Sequence, residues 1–457
     1  METLEVRNFG PIVRASIVLK DVNIFIGPSS SGKSTIAKLC AILNDYDFIK
    51  KVKRFSKFKE YLEKYNVSEY LTTNTYIRYD SDVLTLTINN GRISNVPKEN
   101  IIIDSYNALF QYAKLSQTVD FEYTELEVYE PVFEHLRILS EPIVKSLNQL
   151  SYKAFYNFKS ITHRASFIYS KIFTELDSDN YDLDDESLYY DEDEFEEIVS
   201  EIELLTKNSI IFFRNELSEL KSVQSSTYIP AERILFSLIT EKVFSFENAK
   251  LALPQVMIDF GTIVEKAKIS SKEYNLDFIG TKYKFDKGKN IITQNGYETE
   301  LSKAASGIQT IIPLYLAIEY KIYTNDQNTN FIIEEPELNL YPTNQKKLIE
   351  YIIAKCTNKN GSLTITTHSP YILTCINNFI QGANAFQERP EMIESIKDII
   401  SPNYWLEYNR VSAYYINNGL TENIMNSDIK SIGASKIDDV SEEIGNEFNQ
   451  LTDIIYS

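Results

Sequence analysis

Read from the N-terminus, the spacing of apolar positions changes several times, and each change predicts a new element. Val22-Asn23-Ile24-Phe25-Ile26 is a short, mostly apolar run, the pattern of a buried strand. The chain then turns small and polar through Gly27-Pro28-Ser29-Ser30-Ser31-Gly32-Lys33-Ser34-Thr35. Ile36, Leu39, Cys40 and Leu43 follow at helical spacing. From Asn44 to about Ser226 the pattern differs. A basic amphipathic stretch (Lys50, Lys51, Lys53, Arg54, Lys57, Lys59) leads to alternating strands around Asn89-Asn90-Gly91. Helical spacing runs from about Pro131 to Phe173, and again after an acidic run as far as Leu220. No repeat of fixed period is visible.

A second alternation of strands and helices begins after Ser226. Thr227-Tyr228-Ile229 predicts a strand entering the polar loop Pro230-Ala231-Glu232-Arg233. A hairpin is expected at Asn295-Gly296, and then comes Leu301-Ser302-Lys303-Ala304-Ala305-Ser306-Gly307-Ile308-Gln309. The helix after it carries Ile308, Ile311, Ile312, Tyr315 and Leu316 on one face. Phe331-Ile332-Ile333 suits a buried parallel strand, with Glu334, Glu335 and Glu337 at its C-terminal end. A helix from Gln345 to Ala354 and a turn at Gly361 lead to the strand Leu363 to Thr367, which ends at His368. That β–α–β spacing predicts His368 on the same sheet edge as Glu334 and Glu335, where α/β ligands bind. The expected division is a domain in two segments, 1–44 and 227–420, around a mixed, mainly helical insertion at 45–226. A helical tail at 421–457 completes it.

Composition narrows the class. Of 457 residues, 43% are hydrophobic and 24% charged, which suits a globular chain and excludes a disordered or collagen-like one. No apolar run approaches the length of a membrane-spanning helix, and Met1 to Val6 lacks the basic-then-apolar order of a secretory signal. Cys40, Cys356 and Cys375 have no metal-ligand spacing; read as small buried residues, they suit a reducing cytoplasm. The net charge of −19 is concentrated: Glu175 to Glu197 holds thirteen acidic residues and no basic one, and removing them leaves −6. A non-specific nucleic-acid coat is therefore not indicated, although Lys50 to Lys59 leaves a local phosphate contact open. His135 and His163 read as structural.

With only 14 glycines in the chain, the pair Gly27 and Gly32 stands out. Strand, glycine loop and helix follow in the order a phosphate-binding loop requires. Its N–H groups approach a phosphate closely only where glycine allows, Lys33 would bridge the β- and γ-phosphates, and the Ser34 hydroxyl would ligate Mg²⁺.

Together these segments resemble the ABC-type P-loop ATPase head shared by SMC-like DNA-repair ATPases, RecF-like proteins and the OLD-type ATPases of bacterial defence. The resemblance covers about 1–44 and 227–420 and implies an α/β head with a largely helical insertion between Walker A and the Q-loop region. It implies that Gly27, Ser29, Ser30, Ser31, Gly32, Lys33, Ser34 and Thr35 form Walker A and bind ATP. Glu334 and Ser34 would hold Mg²⁺, Glu335 would polarise the attacking water, and His368 would contact the γ-phosphate. Ser306 and Gly307 match the signature motif that meets ATP bound by the opposite subunit, and Asn339 the D-loop at that interface. Glu334 stands where Asp is commoner, the signature lacks its usual spelling, and Glu232 or Arg233 stands where the Q-loop glutamine belongs.

About ninety residues follow His368. They read as the end of the ATPase lobe, with Val411 to Ile416 as a strand, plus a polar tail too short for the nuclease domain of OLD-type proteins. What remains resembles the stand-alone ATPase subunits of anti-phage systems such as Septu and PARIS. That implies a homo-oligomer joined through nucleotide sites, a separate effector, expected to be a nuclease, and a phage-encoded trigger. The alternatives are a DNA-repair or DNA-end-binding ATPase and a scaffold that uses ATP structurally.

Overall fold

In the computed structural model the described residues are 2–97, 225–433, 446–451 and 454, apart from 46–47, 49–54, 82–83, 239–252, 271–272, 325–328 and 358–360. The helical spacing expected from Pro131 to Leu220, the acidic run, His135, His163 and Lys50 to Arg54 lie outside the described residues. Met1–Val96 and Lys221–Ser457 form one compact unit.

Strands β1 (Glu2–Phe9), β2 (Ile12–Leu19) and β3 (Val22–Ile26) precede helix α1 (Lys33–Leu43). Helix α2 (Phe55–Lys64) follows, then β4 (Tyr76–Asp80), β5 (Leu84–Asn89) and β6 (Arg92–Pro97). The chain resumes with β7 (Ser225–Ile229), a helical turn at 231–238 and α3 (Gln255–Ser270). Strands β8 (Glu273–Leu276), β9 (Thr281–Asp286), β10 (Lys289–Gln294) and β11 (Tyr297–Glu300) make a small antiparallel sheet. Helix α4 (Ser306–Tyr323), β12 (Thr329–Glu334), α5 (Pro342–Cys356), β13 (Leu363–Thr367) and α6 (Pro370–Glu388) follow in turn. The hairpin β14 (Val411–Asn417) and β15 (Leu420–Asn423) turns at Asn418-Gly419.

Among the described residues, eleven strands make one sheet in the order β6-β5-β4-β1-β2-β15-β14-β3-β13-β12-β7. From β14 to β7 the neighbours are parallel, whereas β1, β2, β4 and β5 pair antiparallel. Every residue of β3, β12 and β13 is buried, as expected of parallel strands covered on both faces. Helix α1 packs against β7, β12 and β13.

Two expectations need correction. Residues 55–97, expected inside the insertion, carry strands of this sheet, so the boundary expected at residue 44 falls after β6. Their alternation is that of strands with one buried face: Ile77, Tyr79, Leu84, Leu86 and Ile88 are buried. The segment expected as a helical tail from 421 instead pairs as strand first, at β15 and at Met425–Asn426 with Ser431–Ile432; among the described residues beyond these, helix is found at 446–451 and 454.

Helix α4 continues through Pro313, which has no N–H for the carbonyl four residues earlier. That carbonyl, on Gln309, accepts instead from Ser237 Oγ at 2.5 Å, and Ser237 is fully buried. A side chain from the turn after β7 thus completes the helix that the proline interrupts.

Candidate functional site

Strand register brings the candidate residues together. Ile26 of β3 lies opposite Thr367 of β13, and Thr366 lies opposite Glu334 of β12. The next residues along each strand, Gly27, His368 and Glu335, therefore emerge on one edge of the parallel block.

The loop from Gly27 to Gly32 keeps its shape through its glycines. Gly27 has φ 155° and Gly32 φ 107°, and a Cβ on Gly27 would collide with the Ile416 carbonyl oxygen. Helix α1 begins at Lys33 with no side-chain cap and no acidic residue in its first turn. The N–H groups of that turn have no helical acceptor and suit an anion. Lys33 is buried; its Nζ donates to the Gly27 carbonyl at 3.0 Å and the Pro28 carbonyl at 2.8 Å. Burial pulls its pKa down, opposed by the fields of Glu335, Glu337 and Glu334.

His368 joins Lys33 to Glu335. Its Nδ1 lies 3.4 Å from Lys33 Nζ and its Nε2 lies 2.8 Å from Glu335 Oε1. Both contacts suit the tautomer that accepts at Nδ1 and donates from Nε2. Glu335 is partly exposed, whereas Glu334 is 4% exposed and sits beside the Ser34 and Tyr228 hydroxyls. Burial pushes the Glu334 carboxyl up, and its Oε1 has no hydrogen-bond partner. An orphaned, buried carboxylate oxygen next to a serine hydroxyl is a donor set for a hard divalent cation, so Ser34 and Glu334 fit Mg²⁺.

Glu337 and Gln345 escaped the sequence reading of the site. Glu337 Oε1 accepts from Thr367 Oγ1 at 2.6 Å and from the His368 N–H at 2.8 Å. Gln345 Oε1 accepts from Ser369 Oγ at 2.6 Å. Only the Glu-Pro-Glu spacing after β12 hinted at the first. Arg233, expected as a substitute for the Q-loop glutamine, is fully buried and donates to five backbone carbonyls. No N–H remains for a ligand, so of the two residues expected there Arg233 does not replace the glutamine. Its companion Glu232 is exposed.

Ser306, the first residue of α4, is exposed at a helix start without a side-chain cap. A Cβ on Gly307 would lie 2.9 Å from the Asn339 carbonyl oxygen, so that close approach requires glycine. Asn339 Nδ2 donates to Thr310 Oγ1 at 3.2 Å, tying the loop after β12 to the same helix. Gln309 turns away, its amide bonded to the Ser302 and Ala304 carbonyls.

The sheet is that of a mixed α/β fold, with the glycine loop, the strand ends and the start of α1 converging on one of its edges. Residues 1–373 match the family described as the AAA ATPase domain, and the chain belongs to that family. Among curated proteins there is no match. Similar solved structures include an Smc head domain with an extended coiled coil bound to the C-terminal domain of ScpA, from Pyrococcus furiosus. It is 13% identical, with 97% of this chain and 100% of that chain covered and a TM-score of 0.33. The Smc head domain with a coiled coil and joint from Pyrococcus yayanosii is 11% identical at the same coverage, with a TM-score of 0.34. The recombination mediator protein RecF-ATPrS of the RecFOR pathway is 12% identical over 92% of this chain and 97% of that chain, with a TM-score of 0.28. Likenesses this remote do not bear on function. Among the described residues no helix is long and apolar enough to cross a membrane.

Proposed function

We propose that the protein binds Mg²⁺·ATP at this edge of the sheet and hydrolyses it. The observation that carries the reading is the bonded series from Lys33 through His368 to Glu335, with Glu334 buried beside Ser34. Phosphate oxygens offer Lys33 charge-assisted acceptors, stronger than the carbonyls it meets in its own loop. The N–H groups of the loop and of the first turn of α1 bind the remaining phosphate oxygens. Ser34 and Glu334 would hold Mg²⁺, which would supply neutralisation of the phosphate charge. Glu335 takes the proton of the water that attacks the γ-phosphorus, and the bond to the β-phosphate oxygen breaks. His368 donates from Nε2, either to Glu335 or to the γ-phosphate.

Ser306 and Gly307 provide the second half of a composite site on another copy of the chain; their exposure at an uncapped helix start supports this role. In its biological setting the protein acts as the regulatory ATPase of an anti-phage complex, controlling a separate effector nuclease. This part rests on the resemblance to stand-alone defence ATPases. Lys33→Ala should bind Mg²⁺·ATP at least tenfold more weakly than wild type by isothermal titration; equal affinity would place the nucleotide elsewhere. Co-purification with a neighbouring gene's nuclease would support the regulatory role, and co-purification with recombination proteins would favour DNA repair.

A further inference from the structure

We propose that Arg233 is the positioning residue for Glu335, holding its turn in place and joining it to helix α4; this rests on the hydrolytic reading above. Arginine has five N–H donors, and at Arg233 each meets a backbone carbonyl. Nε donates to Thr310 at 3.3 Å. Nη1 donates to Pro230 at 3.1 Å and to Glu334 at 2.8 Å, and Nη2 to Glu335 at 2.8 Å and to Pro336 at 3.1 Å. Three consecutive carbonyls at the end of β12 thus converge on one planar fork. A side chain that only filled space here would not need five donors. Burial pulls the guanidinium down to about 10, against the fields of Glu337, Glu335, Glu334 and Glu232.

The turn that the fork grips is strained. Glu335 has φ 42°, in the left-handed region that is unfavourable for a residue with a Cβ. Pro336 follows it and further restricts its backbone. The Glu335 N–H donates to the Thr366 carbonyl at 2.9 Å, so this peptide is held from two sides. In this conformation the carboxylate reaches His368. Releasing the carbonyls would let the turn relax, and the carboxylate would leave its place by a fraction of its own length.

The bond to Thr310 gives the clamp a second end. Thr310 is one helical turn beyond Ser306, and its Oγ1 donates to the Ser306 carbonyl at 2.9 Å. A partner that presses on the start of α4 therefore displaces a carbonyl bound to the same guanidinium that sets Glu335. Arg233 is the route by which docking at Ser306 reaches the water-activating group.

Arg233→Lys and Arg233→Gln test this in the full chain. Lysine keeps the charge without the planar fork; glutamine keeps a planar amide with two donors. We expect Mg²⁺·ATP affinity within threefold of wild type and a kcat lowered roughly hundredfold, the usual result of misplacing a catalytic group by about 1 Å. Glu335→Gln is the control. If wild type and Glu335→Gln release phosphate equally, the functional reading fails and this proposal with it. If wild type turns over and Glu335→Gln does not, yet both Arg233 variants keep the wild-type kcat, only the positioning role is overturned. It is also overturned if affinity and kcat fall together, or if neither variant shows a cooperative thermal transition, because Arg233 would then serve the fold alone.

Discussion

At Glu334, a carboxylate with 4% exposure leaves Oε1 without a hydrogen bond in the protein. Sites that destabilise a protein in this way are retained where a ligand needs them. Glu334→Gln removes the buried charge, so in chelator and without nucleotide the variant should be more stable by about 1 kcal/mol. Mg²⁺ together with ATP should then stabilise it less than wild type. Thermal unfolding with and without Mg²⁺·ATP measures both effects, and a variant no more stable in chelator would contradict the cation role. Glu334, Glu335 and His368 stand out in the sequence because each ends or follows an apolar strand, and Lys33 because it follows a glycine loop and opens a helix. Arg233 and Glu337 do not: Arg233 bonds to carbonyls, and Glu337 to an N–H and a threonine hydroxyl on another strand. Their partners leave no complementary charged residue in the sequence.

Elements show the same division. The spacing of Ile308 to Leu316 marked α4 correctly as a helix, yet residues 308–318 are buried on all sides, not along one face. The remedy for Pro313 lies about seventy residues away in sequence, at Ser237. Removing that hydroxyl would leave the Gln309 carbonyl buried without a donor. Ser237→Ala should therefore lower stability by about 1–3 kcal/mol, read from the midpoint of denaturant unfolding. An unchanged midpoint would mean that the helix does not need this bond. The strands β4 and β5 were visible as alternation, but nothing local said which sheet they join; long-range pairing decided that.

Over the whole molecule, Ser306 and Lys33 are expected to serve nucleotide sites shared between copies of the chain. Hydrolysis should then rise faster than linearly with protein concentration until assembly saturates. Lys33→Ala mixed with Ser306→Arg should recover activity that neither has alone, since a site can draw one intact half from each. Full activity from a strict monomer by light scattering would contradict the composite site. The decisive measurement is phosphate release from Mg²⁺·ATP by wild type and by Glu335→Gln, with bound nucleotide analysed in both. Glutamine keeps the shape of the side chain but cannot take the water's proton. Wild type should turn over, while Glu335→Gln should retain ATP uncleaved and release phosphate on the order of 10²–10⁴ times more slowly. Equal rates in the two proteins would place the chemistry on another group.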